Sequence, residues 1–330
     1  MATLLTDHPA PGGPGAVAMW TRADKDAIGT AFSSASRIWF TAAGGIVTEI
    51  YFPDVDTPQI RDLQLMFTDG VTFFHDAQRD FTHAWEAIDP RAPAFRLTST
   101  AIGQPYSVVQ EIIASSDSSC LLIRTRLISD NPAFLAGLKV YALLAPHLEG
   151  QGSSNSAYVA VTTDGKKLVA RHGDYWLALN ASCGLGHTSC GYVGVNDGWT
   201  DIIGNRRLPV WDYHCAENGN VAVMGEIARG TDTEFVLGLG FCLDRDGNSS
   251  QPNPAMVMIR EALSYPFDQE APRGQLQTYI NDWVEARLAS PGFKPVPKTT
   301  GDKDRLFNLS RNVLMTHEDK SSQGALVASL

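Results

Sequence analysis

The side chains best suited to binding chemistry stand at Asp197-Gly198-Trp199, a carboxylate two positions from an indole on a glycine-rich segment. Surfaces that hold sugars use this pairing, because an indole face stacks on a sugar ring while a carboxylate accepts hydroxyl hydrogens. Asp197 and Trp199 are therefore the candidate binding residues. The competing reading of Trp199 is a core plug that closes the end of a β-sandwich.

Other polar clusters carry less. Asp244-Arg245-Asp246-Gly247-Asn248 opens like a calcium loop, but the sixth and twelfth positions are Ser249 and Ala255 rather than Gly and Glu, so a polar turn is expected and no EF-hand. Five cysteines form no paired CxxC spacing and read as free buried thiols. Cys183 and Cys190, seven apart in a glycine-rich stretch, offer a disulfide as the alternative in an oxidising compartment. His187, His214 and His317 lie in unrelated contexts, so none is assigned to a metal or a general base. The chain lacks the Gly-x-Ser-x-Gly elbow, the His-Glu-x-x-His helix, the phosphate loop and the dinucleotide fingerprint. Acidic pairs for glycoside chemistry are set by space, and no pair is marked among the 36 acidic residues. The expectation is no catalytic residue, no metal and no cofactor in this chain.

A net charge of -10 without a basic run disfavours nucleic acid as a partner. No apolar stretch of membrane-spanning length occurs, so no membrane partner is expected. Met1 to Gly15 lacks a basic n-region and an apolar h-region, so no signal peptide is read and the chain is cytoplasmic as written.

These residues must be positioned by a mostly β body. Pro9 to Gly15 cannot propagate a helix or a ladder and reads as a draped or flexible entry segment. Arg37–Thr41 and Ile46–Phe52 flank Gly44-Gly45 as a hairpin, and Asp62–Thr68 and Val71–Phe74 flank Asp69-Gly70 as another. Further strands are expected at 95–102, 106–113, 120–129, 138–145, 157–162, 167–171, 174–179, 221–228 and 234–243, with 183–201 as a glycine-rich loop. A dozen or more strands without an intervening amphipathic helix favour a large antiparallel sandwich. The period changes at Leu276, where Leu276, Tyr279, Ile280, Trp283, Val284, Arg287 and Leu288 share a helical face that ends at Pro291-Gly292. After a proline-stiffened joint, Asp302 can cap a second helix whose Leu306, Leu309 and Val313, with neighbouring Phe307 and Leu314, form an apolar stripe, running to about Met315. That stripe is expected to be exposed.

Several stretches resemble the N-terminal domain of bacterial glucoamylases and glucodextranases of glycoside hydrolase family 15. They are Trp20-Thr21, Gly29-Thr30-Ala31, Ile38-Trp39-Phe40-Thr41, Gly45 to Pro53 and Arg61 to Leu65. The likeness continues through Tyr192-Val193-Gly194, Asp197 to Asp201, Gly219 to Ala222, Glu318-Asp319-Lys320 and Ala328-Ser329-Leu330. The cysteine-bearing segment from Cys183 to Gly191 departs from the pattern. The resemblance implies a mutarotase-like β-supersandwich over 1–272, a linker helix and proline joint over 273–300, and over 301–330 the first helix of an incomplete (α/α)6 barrel. It also implies an inverting enzyme that removes glucose from the ends of α-glucans, with its acid and base glutamates in the barrel. No residue here matches those glutamates, so the chain alone is expected to be non-catalytic. Its partners would be the rest of the barrel, packed on the linker and tail, and α-glucan oligosaccharides through the complete protein. A carbohydrate-binding module is the alternative, and an independent mutarotase-like enzyme a further one.

Overall fold

The computed structural model describes residues 2–208, 211–244, 254–267, 274–289, 301–302, 304–322 and 324–330. In chain order the strands begin with β1 (Thr3–Leu4), β2 (Ala27–Thr30), β3 (Trp39–Ala43), β4 (Ile46–Tyr51), β5 (Ile60–Thr68) and β6 (Phe74–Asp76). They continue with β7 (Phe81–Asp89), β8 (Ala94–Ala101), β9 (Ser107–Ala114), β10 (Cys120–Ile128), β11 (Lys139–Pro146) and β12 (Asn155–Thr162). The last six are β13 (Gly165–His172), β14 (Tyr175–Ala181), β15 (Leu185–Tyr192), β16 (Cys215–Gly219), β17 (Val221–Ile227) and β18 (Glu234–Leu243). The helices are α1 (Pro132–Gly137), α2 (Gly198–Asn205), α3 (Pro254–Ser264), α4 (Gln275–Ala289) and α5 (Arg305–Thr316).

Among the described residues the strands form two antiparallel sheets. One runs β1-β12-β13-β14-β18-β10-β9-β8-β7 with β16 on β12, and the other runs β15-β17-β11-β5-β4-β3-β2 with β6 on β5. The expected large antiparallel sandwich is the observed fold. Its core follows from the two-residue period of a strand. On β5, Leu63, Leu65 and Phe67 enter the central core between the sheets, while Met66 points the other way. On β11, Val140, Ala142 and Leu144 face inward, and Tyr141 and Leu143 face out beneath α2. The eight-stranded sheet therefore has apolar contacts on both faces.

Several elements differ from expectation: β1, β2, β16 and α1 were not foreseen, and α2 begins inside the segment read as a loop. The segment read as a glycine-rich loop contains β15, paired with β17. Gly191 stands there because a Cβ would lie 2.2 Å from the Asn196 carbonyl oxygen, so the glycine marks a close approach rather than a loop. β7, not foreseen, closes one edge of the ten-stranded sheet. Helix α3, also not foreseen, follows the last strand and docks on β18 where Gly238 and Gly240 leave room, a Cβ at Gly240 lying 3.0 Å from Ile259.

Helix α4 is fixed by the face read from its spacing. Leu276, Tyr279, Ile280 and Trp283 are buried, whereas Leu288 is exposed. The Tyr279 hydroxyl and the Trp283 indole N–H both donate to the Thr30 carbonyl, at 2.7 and 3.1 Å, tying α4 to the end of β2. The proline-rich joint at 291–297 lies outside the described residues, as do Ser290 and residues 245–253 of the proposed polar turn. At α5 the Asp302 carboxylate does accept from Leu306 N, at 2.8 Å. The expected apolar stripe is exposed only in part. Leu309 is partly buried against the core and Val313 against the cluster around Trp39, while Leu306, Phe307 and Leu314 face solvent. Apolar residues occur on two sides of this helix, so spacing alone did not say which side the sandwich takes.

All five cysteines are free. Cys183 directly precedes β15 and Cys190 lies within it. The disulfide weighed for this pair is therefore not formed. Burial pushes the Cys120 thiol up to about 12 and the Cys242 thiol up to about 11.

Candidate functional site

The outer face of the eight-stranded sheet carries an open cleft of about 390 Å³. Its floor is β5, where Asp62 and Gln64 alternate with the core residues Leu63 and Leu65 and so point away from the sandwich. One rim is the entry segment, which is ordered: Ala16 N donates to the Val193 carbonyl at 2.9 Å, and Asn220 Nδ2 donates to the Ala16 carbonyl at 3.0 Å. Those contacts carry the chain on to Trp20 and Thr21 over β5. The opposite rim is α2 with the turn before it.

The two residues singled out by sequence both line this cleft. Asp197 is the N-cap of α2. Its Oδ1 accepts from Thr200 N at 2.8 Å and its Oδ2 from Gly194 N at 2.6 Å, so both oxygens answer backbone donors that a helix start leaves open. Trp199 follows in the first turn, partly buried over Met66, Tyr141 and Met224. Its Nε1 donates to Asp76 Oδ2 at 3.1 Å, and the Arg79 guanidinium sits 5.1 Å from its ring centroid. Trp199 is thus a wall of the cleft and a lid on the small apolar cluster beneath α2, while Asp197 positions it.

Sequence reasoning did not select Trp20, Arg61, Asp62, Gln64 or Arg79. Asp62 Oδ2 accepts from Thr21 Oγ1 and from Arg61 Nε, both at 2.7 Å. Its Oδ1 has no protein partner although the residue is only 1% exposed, and Gln64 Oε1, in a residue 7% exposed, is likewise unanswered. A buried acceptor left unmade costs about 1–3 kcal/mol. Trp20 stays 45% exposed, its ring 4.9 Å from that of His147. Burial lowers the His147 imidazole to about 4, and the nearby Arg61 charge adds to the effect. The available signal was polar side chains two apart within an otherwise apolar strand.

The other two carboxylates of the cleft are held by protein donors: Asp76 Oδ1 accepts from Gln78 N at 2.8 Å and its Oδ2 from Trp199, and both oxygens of Asp197 accept as described. Among the described residues no group of three His, Cys, Asp or Glu side chains could hold a metal ion. No described helix is long and apolar enough to cross a membrane.

A second concavity, about 530 Å³, lies between the Thr30–Ser34 segment, Trp283 and the tail residues Glu318, Asp319 and Lys320. Here the tail is stitched to the sandwich. Lys320 Nζ donates to the Ser36 carbonyl and sits 5.0 Å from the Trp39 ring centroid, and burial lowers its ammonium to about 7. Asp319 Oδ2 accepts from Val55 N at 3.3 Å. Burial pushes the Asp319 carboxyl up, but the donors of Ser321, Val55 and Ser322 outweigh it and hold the group below its usual range.

Residues 10–285 match the family described as glucodextranase, domain N, and the chain belongs to that family. It is 28% identical over 318 residues to the glucoamylase of Clostridium sp. (strain G0005), covering 96% of this chain and 42% of that protein. A crystal structure of a bacterial glucoamylase complexed with acarbose superposes with a TM-score of 0.87 at 25% identity, covering 99% of this chain and 46% of that one. The chain therefore spans less than half the length of these relatives.

Proposed function

We propose that this chain is the non-catalytic β domain of a glucoamylase-like inverting exo-glycosidase, followed by the opening of its catalytic barrel. In this reading residues 1–272 are the sandwich domain, 273–300 the linker and 301–330 the first barrel segment. The complete protein releases glucose from the ends of α-glucans of the starch, maltooligosaccharide or dextran type.

The observation that carries the reading is the extent of the match: it covers nearly all of this chain and under half of the relatives. An inverting hydrolase needs two carboxyl groups about 6.5–9.5 Å apart with room for water. The committed oxygens of Asp76 and Asp197 support placing that pair in the length of the relatives beyond the matched part. The outward apolar residues of α5, Leu306, Phe307 and Leu314, support a barrel packed on the tail.

The test is a glucose-release assay on the purified 330-residue chain with maltooligosaccharides and isomaltooligosaccharides. No release is expected from either. Release at a rate that scales with chain concentration would overturn the non-catalytic assignment.

A further inference from the structure

We propose that the cleft over β5 is a non-catalytic binding site for one neutral hexose unit, held against the Trp20 indole with its hydroxyl groups on Asp62, Gln64 and Arg61. The choice of a glucosyl unit rests on the α-glucan reading above; the site itself rests on geometry alone.

Two buried acceptors define what the ligand must bring. Asp62 Oδ1 and Gln64 Oε1 lack protein partners and both residues line the cleft. They stand at alternate positions of one strand, their Cα atoms roughly 7 Å apart on the same face. Folded proteins satisfy nearly all buried polar atoms, so an occupant with at least two hydrogen-bond donors fits here.

Charge narrows the class. A cation would meet the Arg61 and Arg79 guanidinium groups already in the cleft, and Arg79 covers the Trp199 ring to which a cation would otherwise be drawn. An anion would meet Asp62, Asp76 and Asp197. A hydroxyl group escapes both conflicts because it donates and accepts at once. It can donate to Asp62 Oδ1 or Gln64 Oε1 while accepting from Arg61, whose bond to Asp62 uses only Nε.

Shape agrees. The cleft volume of about 390 Å³ falls in the range of small-molecule sites. The 45% exposure of Trp20 leaves indole surface for the apolar side of a sugar ring. Thr21, fixed on Asp62 at 2.7 Å, holds the Trp20 rim in place without a ligand.

The test is calorimetric titration of the full 330-residue chain with maltose, isomaltose and cellobiose. Saturable heat with an α-linked disaccharide is expected. Gln64→Leu and Trp20→Ala should each weaken binding at least about tenfold, or about 1.4 kcal/mol. Trp176→Ala, on the other sheet, should leave it unchanged, and unfolding curves will show that each variant is folded. Absence of saturable heat with every sugar would overturn the site, as would binding that Gln64→Leu and Trp20→Ala leave intact. Binding of cellobiose alone would uphold the hexose site and count against the α-glucan reading, whereas glucose release would overturn the non-catalytic assignment without touching the site.

Discussion

The outer faces of the two sheets handle buried polar groups in opposite ways. On the ten-stranded sheet, Glu86, Arg96, Glu111 and Arg124 stand directly opposite one another across β7, β8, β9 and β10. Glu111 is 3% exposed, yet its Oε1 meets Arg96 at 2.8 Å and its Oε2 meets Arg124 at 3.4 Å; Arg124 continues to Glu234 at 2.9 Å. The row completes itself. On the eight-stranded sheet, Asp62 and Gln64 are equally central in their strand, and each keeps an oxygen that no protein group answers. A closed polar network holds a fold in one arrangement, and an open one at a cleft is where a ligand fits.

The largest expected effect lies on the closed face. Glu111→Ala strands Arg96 and Arg124 beside each other and should lower unfolding free energy by about 3 kcal/mol, read by urea denaturation. A loss below about 0.5 kcal/mol would place that row among ordinary surface ion pairs.

The pH response should come from the open side. His147 titrates near 4 when folded and near 6.5 when unfolded, so the unfolded chain binds the extra proton between those values. Its contribution is present above pH 6.5 and is lost as pH falls toward 4, by at most about 3 kcal/mol. His147→Gln should flatten the stability profile in that window; an unchanged profile would show that other groups set it.

A smaller effect is expected where α3 docks. Gly240→Val inserts side-chain atoms against Ile259 and the Ala255 carbonyl, each 3.0 Å from the nearest Cβ position. This should cost about 2 kcal/mol by overpacking, with earlier proteolysis in the α3 region as a second readout.

The contrast between the faces also explains what could be read in the sequence. The hairpin at Gly44-Gly45 and the strands at 157–162 and 167–171 were legible because turn chemistry and alternation are local, and both strand pairs form. β7 was missed because Phe81–Asp89 lies at a sheet edge and is only partly buried, which weakens its alternation. β15 was hidden by glycines whose reason, contact with Asn196, comes from chain folded back on it. The Asp197-Gly198-Trp199 segment, singled out by its residue types, lines the cleft. That Asp62 and Gln64 form its floor depends on Thr21 and Arg61 leaving one carboxylate oxygen over, which no spacing within β5 discloses.

The most direct test of the open-face account is urea unfolding of Gln64→Leu with and without maltose. Removing an unanswered buried acceptor should raise stability by about 1 kcal/mol in the absence of sugar, and maltose, expected to stabilise the parent chain, should no longer shift the curve. A variant less stable than the parent, with its maltose response intact, would show that Gln64 is already satisfied within the fold and that both faces are closed.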